Sequence, residues 1–180
     1  QTSLAWMYEN GKGIEIDSEQ AVYWYKKAAE RGDTNAQLKL GIIYKNGSDT
    51  TEDYTQSFYW YKKVAEQGDA VAQLNVGIMY EYGKGVGEDY SQAAFWYKKA
   101  AEQGHSEAQA NLGWFYLNGK GVELDYKKAV EWYKKAAEQG YTSAQFSLGE
   151  IYKNGKGVNE DYTQAFYWYK KVAEKGDSSA

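Results

Sequence analysis

Hydrophobic and polar positions recur along this chain with a period of 36 residues. "WYKKAAE" begins at Trp24, Trp96 and Trp132, and "WYKKVAE" begins at Trp60 and Trp168. Aligned on that period, the copies run 1–35, 36–71, 72–107, 108–143 and 144–179. The more regular half of each copy has the 3.6-residue spacing of an amphipathic helix. Tyr54, Ser57, Phe58, Trp60, Tyr61, Val64 and Ala65 share one broad arc of its wheel, and Gln56, Lys62, Lys63 and Glu66 lie opposite. The repeated "WYKK" therefore reads as two aromatics facing a neighbour and two lysines facing water. Asp53 followed by Gln56 resembles a capping box, repeated at Asp17/Gln20, Asp89/Gln92 and Asp161/Gln164. The fourth copy keeps only the cap, Asp125. Gly32, Gly68, Gly104, Gly140 and Gly176 stand where such a helix ends, in a left-handed conformation that glycine adopts at little cost.

The other half of each copy predicts a shorter helix, over about 35–45 in the second copy, with Asp33 or Thr34 as cap and Gly47 as stop. Ala36, Leu40, Ile43 and Tyr44 form its core arc, with Gly41 beside them. A glycine inside a helix costs about 1 kcal/mol against alanine. Its return as Gly77, Gly113 and Gly149, with Ala5 in the first copy, predicts a place where only a small residue fits against a crossing helix. The linker "GKGV" at 83–86, 119–122 and 155–158 supplies a tight turn and one apolar anchor. Two short helices cannot bury such faces alone, whereas stacked pairs can. The expected fold is all-α, an α/α solenoid of stacked antiparallel helix pairs. Residues 1–180 are expected to form a single domain, itself part of a longer array.

Composition narrows the function. The chain carries a formal net charge of −4, which argues against a nucleic-acid partner. Cysteine is absent, so there is no disulfide framework and no thiolate metal site. No stretch approaches the roughly 18 apolar residues of a membrane span, and membrane insertion is not expected. The chain starts at Gln1 without a Met, so no leader is read in or out of it. A soluble protein is expected, with its compartment open.

The spacing Ala-x3-Leu-Gly-x2-Tyr-x2-Gly-x-Gly-Val-x2-Asp-x3-Ala-x2-Trp-Tyr-x-Lys-Ala-Ala-x2-Gly resembles the Sel-one-like repeat, a relative of the tetratricopeptide repeat. The fourth copy carries it as Ala108, Leu112, Gly113, Tyr116, Gly119, Gly121, Val122, Asp125, Ala129, Trp132, Tyr133, Lys135, Ala136, Ala137 and Gly140. Departures are local: Asp49 and Thr50 stand where Gly-Val is expected, and Val76 replaces Leu. The resemblance implies a right-handed superhelical scaffold for protein–protein contact. It also implies adaptor roles without catalysis, and a concave surface lined by the first helix of each pair.

The outer arc of the first helix should be polar on a surface helix, and here it often is not. It carries Trp6, then Leu38 and Ile42, then Val71, Leu74 and Ile78, then Trp114 and Leu117, then Phe146, with Tyr82 just beyond the third copy's helix. One reading buries these residues between adjacent first helices. The other makes them an apolar groove for a peptide or protein, because a contiguous exposed apolar strip marks an interaction surface. Glu150 and Lys153 make the fifth copy more polar. On the second helix, Tyr23, Tyr59, Phe95 and Tyr167 fall in the middle of the polar arc, with Glu131 interrupting the series. They are either a convex aromatic ladder or rings lying along neighbouring lysine stems, and the second reading is preferred.

Catalysis finds no support. His105 is the one histidine, and it replaces Asp33 and Asp69 near a helix start, as a surface cap variant does. Carboxylates recur as caps and surface charges, and "GKG" has no strand before it and no Walker pattern. The expected protein is a non-enzymatic scaffold needing no cofactor and no metal, which binds a peptide or protein in its groove. Its structural alternative is end-to-end self-association into filaments through Leu4, Met7, Trp168 and Tyr169. Asn46-Gly47-Ser48 is a glycosylation sequon that matters only in a secreted protein.

Overall fold

The computed structural model describes residues 1–47 and 53–177. The irregular loop with Ser48, Asp49 and Thr50, and hence the sequon's serine, lies outside the described residues. Among the described residues there are ten α-helices and no strands. They fall into two compact units, residues 1–88 and residues 89–180. The first holds α1 (Thr2–Asn10), α2 (Ser18–Ala29), α3 (Thr34–Asn46), α4 (Tyr54–Glu66) and α5 (Ala70–Tyr82). The second holds α6 (Tyr90–Glu102), α7 (Ser106–Asn118), α8 (Tyr126–Glu138), α9 (Thr142–Asn154) and α10 (Tyr162–Asp177). Within each unit every helix packs on the next in sequence, the pattern of an all-α helical-repeat solenoid.

The caps explain why the elements start and stop where they do. Asp17, Asp53, Asp89, Asp125 and Asp161 each accept a hydrogen bond from the backbone N–H three residues on, at 2.9–3.0 Å. The reciprocal half of the expected capping box is replaced. The backbone N–H groups of Asp17, Asp53, Asp125 and Asp161 donate to the carbonyls of Tyr8, Tyr44, Tyr116 and Tyr152, at 2.9–3.0 Å. These are carbonyls in the last turn of the preceding helix, so the bond ties the end of one helix to the start of the next. A glutamine side chain is not needed for it.

The opposite junction is tighter. Gly32 N–H donates to Ala29 O at 3.0 Å and Asp33 N–H to Ala28 O at 3.2 Å, a Schellman closure with Gly32 in the left-handed region at φ 90°. The Asp33 side chain then accepts from Ala36 N–H at 2.8 Å, so one residue closes α2 and caps α3. Asp69 does the same between α4 and α5. His105 and Tyr141 take this place before α7 and α9 with no side-chain cap bond. His105 is therefore at a cap position without capping, and its Nδ1 is buried and unpartnered among the described residues.

Small residues set the approach of the paired helices. A Cβ on Gly41 would meet the Tyr61 ring at 3.0 Å, and one on Gly113 would meet the Tyr133 ring at 3.1 Å. The crossing element inferred from the glycine pattern is thus the tyrosine ring of "WYKK". Gln37, Gln73, Gln109 and Gln145 are buried polar residues that the wheel does not single out. Each donates from Nε2 to a carbonyl of the last turn of the preceding helix (Ala29, Ala65, Ala101 or Ala137) at 3.0–3.1 Å. Carbonyls in a last turn lack helical partners, so these bonds hold consecutive pairs at a fixed stagger.

Candidate functional site

The outer faces of the first helices separate into exposed and covered positions. In the first unit Trp6, Ile42, Val71 and Tyr82 are exposed, while Leu38 and Ile78 are half-buried. Leu74 is 5% exposed and is a core residue, which corrects its assignment to the surface. Ala110, its counterpart in α7, packs in one core with Ala144 and Leu148 of α9. That angle of the wheel points into the seam between consecutive first helices. In the second unit Trp114 and Phe146 are exposed and Leu117 is half-buried.

Two hollows accompany these residues. In the first unit a cleft of about 300 Å³ is lined by Thr2, Ser3, Trp6, Tyr25, Asn35 and Lys39. Beside it the Tyr25 hydroxyl donates to Glu9 Oε2 at 2.7 Å, and Lys39 Nζ lies 3.1 Å from the same carboxylate. Burial, and then the bond to Glu9, pushes the Tyr25 phenol well above the ordinary tyrosine range. In the second unit a hollow of about 160 Å³ is bordered by Leu117, Phe146, Glu150 and Lys156, among others. There Glu150 accepts from the Tyr169 hydroxyl and pairs with Lys153 at 3.3 Å. The Tyr169 bond first, and the Lys153 bond second, hold the Glu150 carboxyl below its usual range.

The tyrosine of "WYKK" thus has two roles. Its ring fills the core against the glycine of the first helix, and in Tyr25, Tyr133 and Tyr169 its hydroxyl reaches first-helix side chains at Glu9, Ser147 and Glu150. The wheel places this residue in the core and so misses the polar tip. The available signal is that the position is tyrosine in every copy and never phenylalanine.

The aromatic series on the second helices is engaged locally. Tyr23, Tyr59, Phe95 and Tyr167 stand edge-on to Trp24, Trp60, Trp96 and Trp168, with centroids 4.9–5.2 Å apart. Lys27, Lys63, Lys99 and Lys171, one turn on, lie over the same rings at 4.8–5.7 Å. Where Glu131 interrupts the series, Lys135 covers Trp132 instead, at 4.2 Å. A cation–π contact on an exposed ring contributes about 0.5–1 kcal/mol. This accounts for the series without any ligand.

Of the four end positions, Met7 is exposed and Leu4 and Tyr169 are half-buried. Trp168, 8% exposed, is packed in the core with Leu148, Ile151 and Tyr152 of its own pair, so it is not part of an end surface. The exposed aromatics of α10 are Tyr162, Phe166 and Tyr167. Among the described residues no group of His, Cys, Asp and Glu is arranged to hold a metal ion, and no helix is long and apolar enough to cross a membrane.

The family model for the Sel1 repeat matches five times, at 1–33, 34–69, 70–105, 106–141 and 142–177. The chain belongs to the Sel1 repeat family. The matched frame starts two residues earlier than the alignment on "WYKK", so each boundary falls at the residue that begins a first helix. Sel1 repeat proteins are generally protein-interaction scaffolds that bind protein partners, and they are typically non-enzymatic. Among solved structures, a protective antigen of uropathogenic Escherichia coli displaying an SLR fold is 41% identical, with a TM-score of 0.92 over 97% of this chain and 38% of that one. A Sel1 repeat protein from Oxalobacter formigenes is 38% identical, with a TM-score of 0.90 over 96% of this chain and 71% of that one. Cysteine rich protein B of Helicobacter pylori is 28% identical, with a TM-score of 0.55 over 75% of this chain and 97% of that one. This chain thus spans well under half the length of the Escherichia coli antigen. No curated protein matches it.

Proposed function

We infer that this Sel1 repeat chain is a non-catalytic scaffold that binds a peptide or protein segment along the outer faces of its first helices, with tryptophan as the anchor. The observation that carries this reading is the exposure of Trp6 and Trp114 at equivalent repeat positions. Exposed tryptophans bury more area than any other side chain when covered and are enriched among binding hot spots. The Trp6 ring borders a cleft whose other walls offer Ser3, Asn35 and Lys39, polar groups suited to a peptide backbone or an acidic side chain. Ile42, Val71, Tyr82 and Phe146 extend the apolar surface within their own units.

The test is to select peptides from a displayed library on the 180-residue chain and measure their affinity for Trp6→Ser and Trp114→Ser variants. At least one variant should lose 10-fold or more in affinity while its helical circular dichroism is unchanged. Affinity indifferent to both substitutions overturns the assignment.

A further inference from the structure

Four of the first helices end in an Asn-Gly pair: Asn10-Gly11, Asn46-Gly47, Asn118-Gly119 and Asn154-Gly155, with Tyr82-Gly83 in the third copy. An asparagine followed by glycine is open to attack on its side-chain amide by the next backbone nitrogen, because glycine puts no side chain in the way. All four asparagines are exposed, so water reaches each of them. All four glycines hold the same left-handed turn, at φ 62–64°. Their N–H groups donate to the carbonyls of Met7, Ile43, Phe115 and Ile151, four residues back. The attacking nitrogen is therefore withheld equally at every pair.

The amide under attack is not. Asn10 Nδ2 donates to Trp6 O at 2.9 Å, Asn118 Nδ2 to Trp114 O at 2.8 Å and Asn154 Nδ2 to Glu150 O at 2.7 Å. To react, each of these amides must let go of a carbonyl one turn back and swing towards the glycine that follows. The Asn46 side chain makes no such bond to Ile42, and it has no other hydrogen-bond partner among the described residues. Its equivalence with the other three in sequence, exposure and turn leaves that missing tether as the difference. Asn46 lies in the second repeat, with helices before and after it in its own unit, so the difference does not come from a chain end.

We propose that Asn46 is a site of spontaneous deamidation, the most reactive of the four Asn-Gly pairs, with water as the co-reactant. The Gly47 nitrogen gives its proton to solvent base and bonds to Asn46 Cγ. The Cγ–Nδ2 bond breaks, and the nitrogen leaves as ammonia with a proton from solvent. Water then adds to one of the two carbonyls of the five-membered imide. Opening at the side-chain carbonyl gives aspartate, and opening at the main-chain carbonyl gives isoaspartate. Nothing is oxidised or reduced. Either product places a carboxylate in the last turn of α3, where the helix dipole disfavours an anion. Isoaspartate also adds a carbon to the main chain just before Gly47 and displaces the N–H that closes on Ile43 O. The damage falls on the joint that starts α4, where the Asp53 N–H is held by Tyr44 O at 3.0 Å. Modification therefore loosens the second repeat. The proposal does not depend on the peptide-binding reading.

Peptide mapping by mass spectrometry tests this on the 180-residue chain, kept in mildly alkaline buffer with and without denaturing urea. Deamidation adds a single mass unit, and fragmentation distinguishes isoaspartate from aspartate. In the folded chain Asn46 should convert about threefold or more faster than Asn10, Asn118 and Asn154, the factor that one side-chain hydrogen bond contributes. In urea the four rates should converge, because the tethers are gone. Asn46→Gln should remove the fastest conversion and leave the other three unchanged. A folded chain in which Asn46 reacts no faster than the other three overturns the proposal. So does an excess at Asn46 that persists undiminished in urea, since the fold would then play no part in it.

Discussion

The two helices of each repeat tolerate sequence change very differently. The second helix keeps "WYKK" in all five copies and is capped by aspartate every time. The first helix keeps its core arc but changes its outer face from Trp6 to Ile42, Ile78, Trp114 and Glu150, and loses its aspartate cap at His105 and Tyr141. The difference has a packing cause. The second helix contacts its own first helix and the next one, so most of its arc is answered by a neighbour. The first helix presents one side that no element within the repeat covers. If that side binds partners as proposed, freedom to vary there lets one scaffold suit different ones, while the constancy of the second helix keeps the scaffold standing.

The sharpest way to break the comparison is to truncate one ring on each side of it. Tyr133→Ala removes a buried ring wedged against Gly113 and leaves a cavity, at a cost of about 3–5 kcal/mol in urea unfolding. Trp114→Ser, on the outer face of the same repeat, should cost no more than about 1 kcal/mol. Equal losses from the two would mean that the outer face is structural and not reserved for a partner.

A smaller effect comes from pH. Burial pushes the Tyr61 and Tyr133 phenols up to about 12, against 10.0 for an exposed phenol. Between those values the unfolded chain has released protons that the folded chain still holds, so stability must fall as pH rises. It should be fully present below pH 10 and lost progressively as pH approaches 12. Tyr133→Phe should flatten the high-pH limb of stability against pH without moving the neutral plateau by much, whereas removal of an outer-face residue such as Trp114 should leave that limb unchanged.

The helices, their aspartate caps and the crossing at the first-helix glycine were legible in the sequence because each is a local rule repeated in phase, whereas the tyrosine ring that meets the glycine was not. The core-facing Tyr61 and Tyr133 followed from the wheel alone, whereas the surface assignments were less secure. A wheel gives the angle at which a side chain leaves its helix but not what stands opposite. Leu74 and Ala110 share an angle with Phe146, yet only Phe146 is exposed. Trp168 was misplaced because its core-facing angle was assigned to a following first helix, when the ring packs with Leu148, Ile151 and Tyr152 of its own pair. Gln37 and its counterparts were missed for the opposite reason. A polar residue in a first helix reads as solvent-facing unless its unbroken return beside an alanine is taken as a sign of a buried hydrogen bond.

The mildest test restores to a first helix what every second helix has. His105 closes α6 and precedes α7, the place where Asp33 and Asp69 cap α3 and α5. Its imidazole supplies no cap and leaves Nδ1 buried and unpartnered among the described residues. His105→Asp should add a side-chain acceptor for the N–H of Ala108 and remove the buried orphan, while a negative charge at a helix start interacts favourably with the dipole. Glu107, in the same first turn, opposes this through like charge, but both groups sit near water, where such repulsion is small. The net expectation is a gain of about 1 kcal/mol in thermal or urea unfolding. Asp33→His should lose a similar amount, because it trades a made cap for the arrangement found at His105. If both substitutions prove neutral, first-helix starts are held by the Schellman closure and the buried glutamine alone. The cap residue would then belong with the outer face, among the positions free to change.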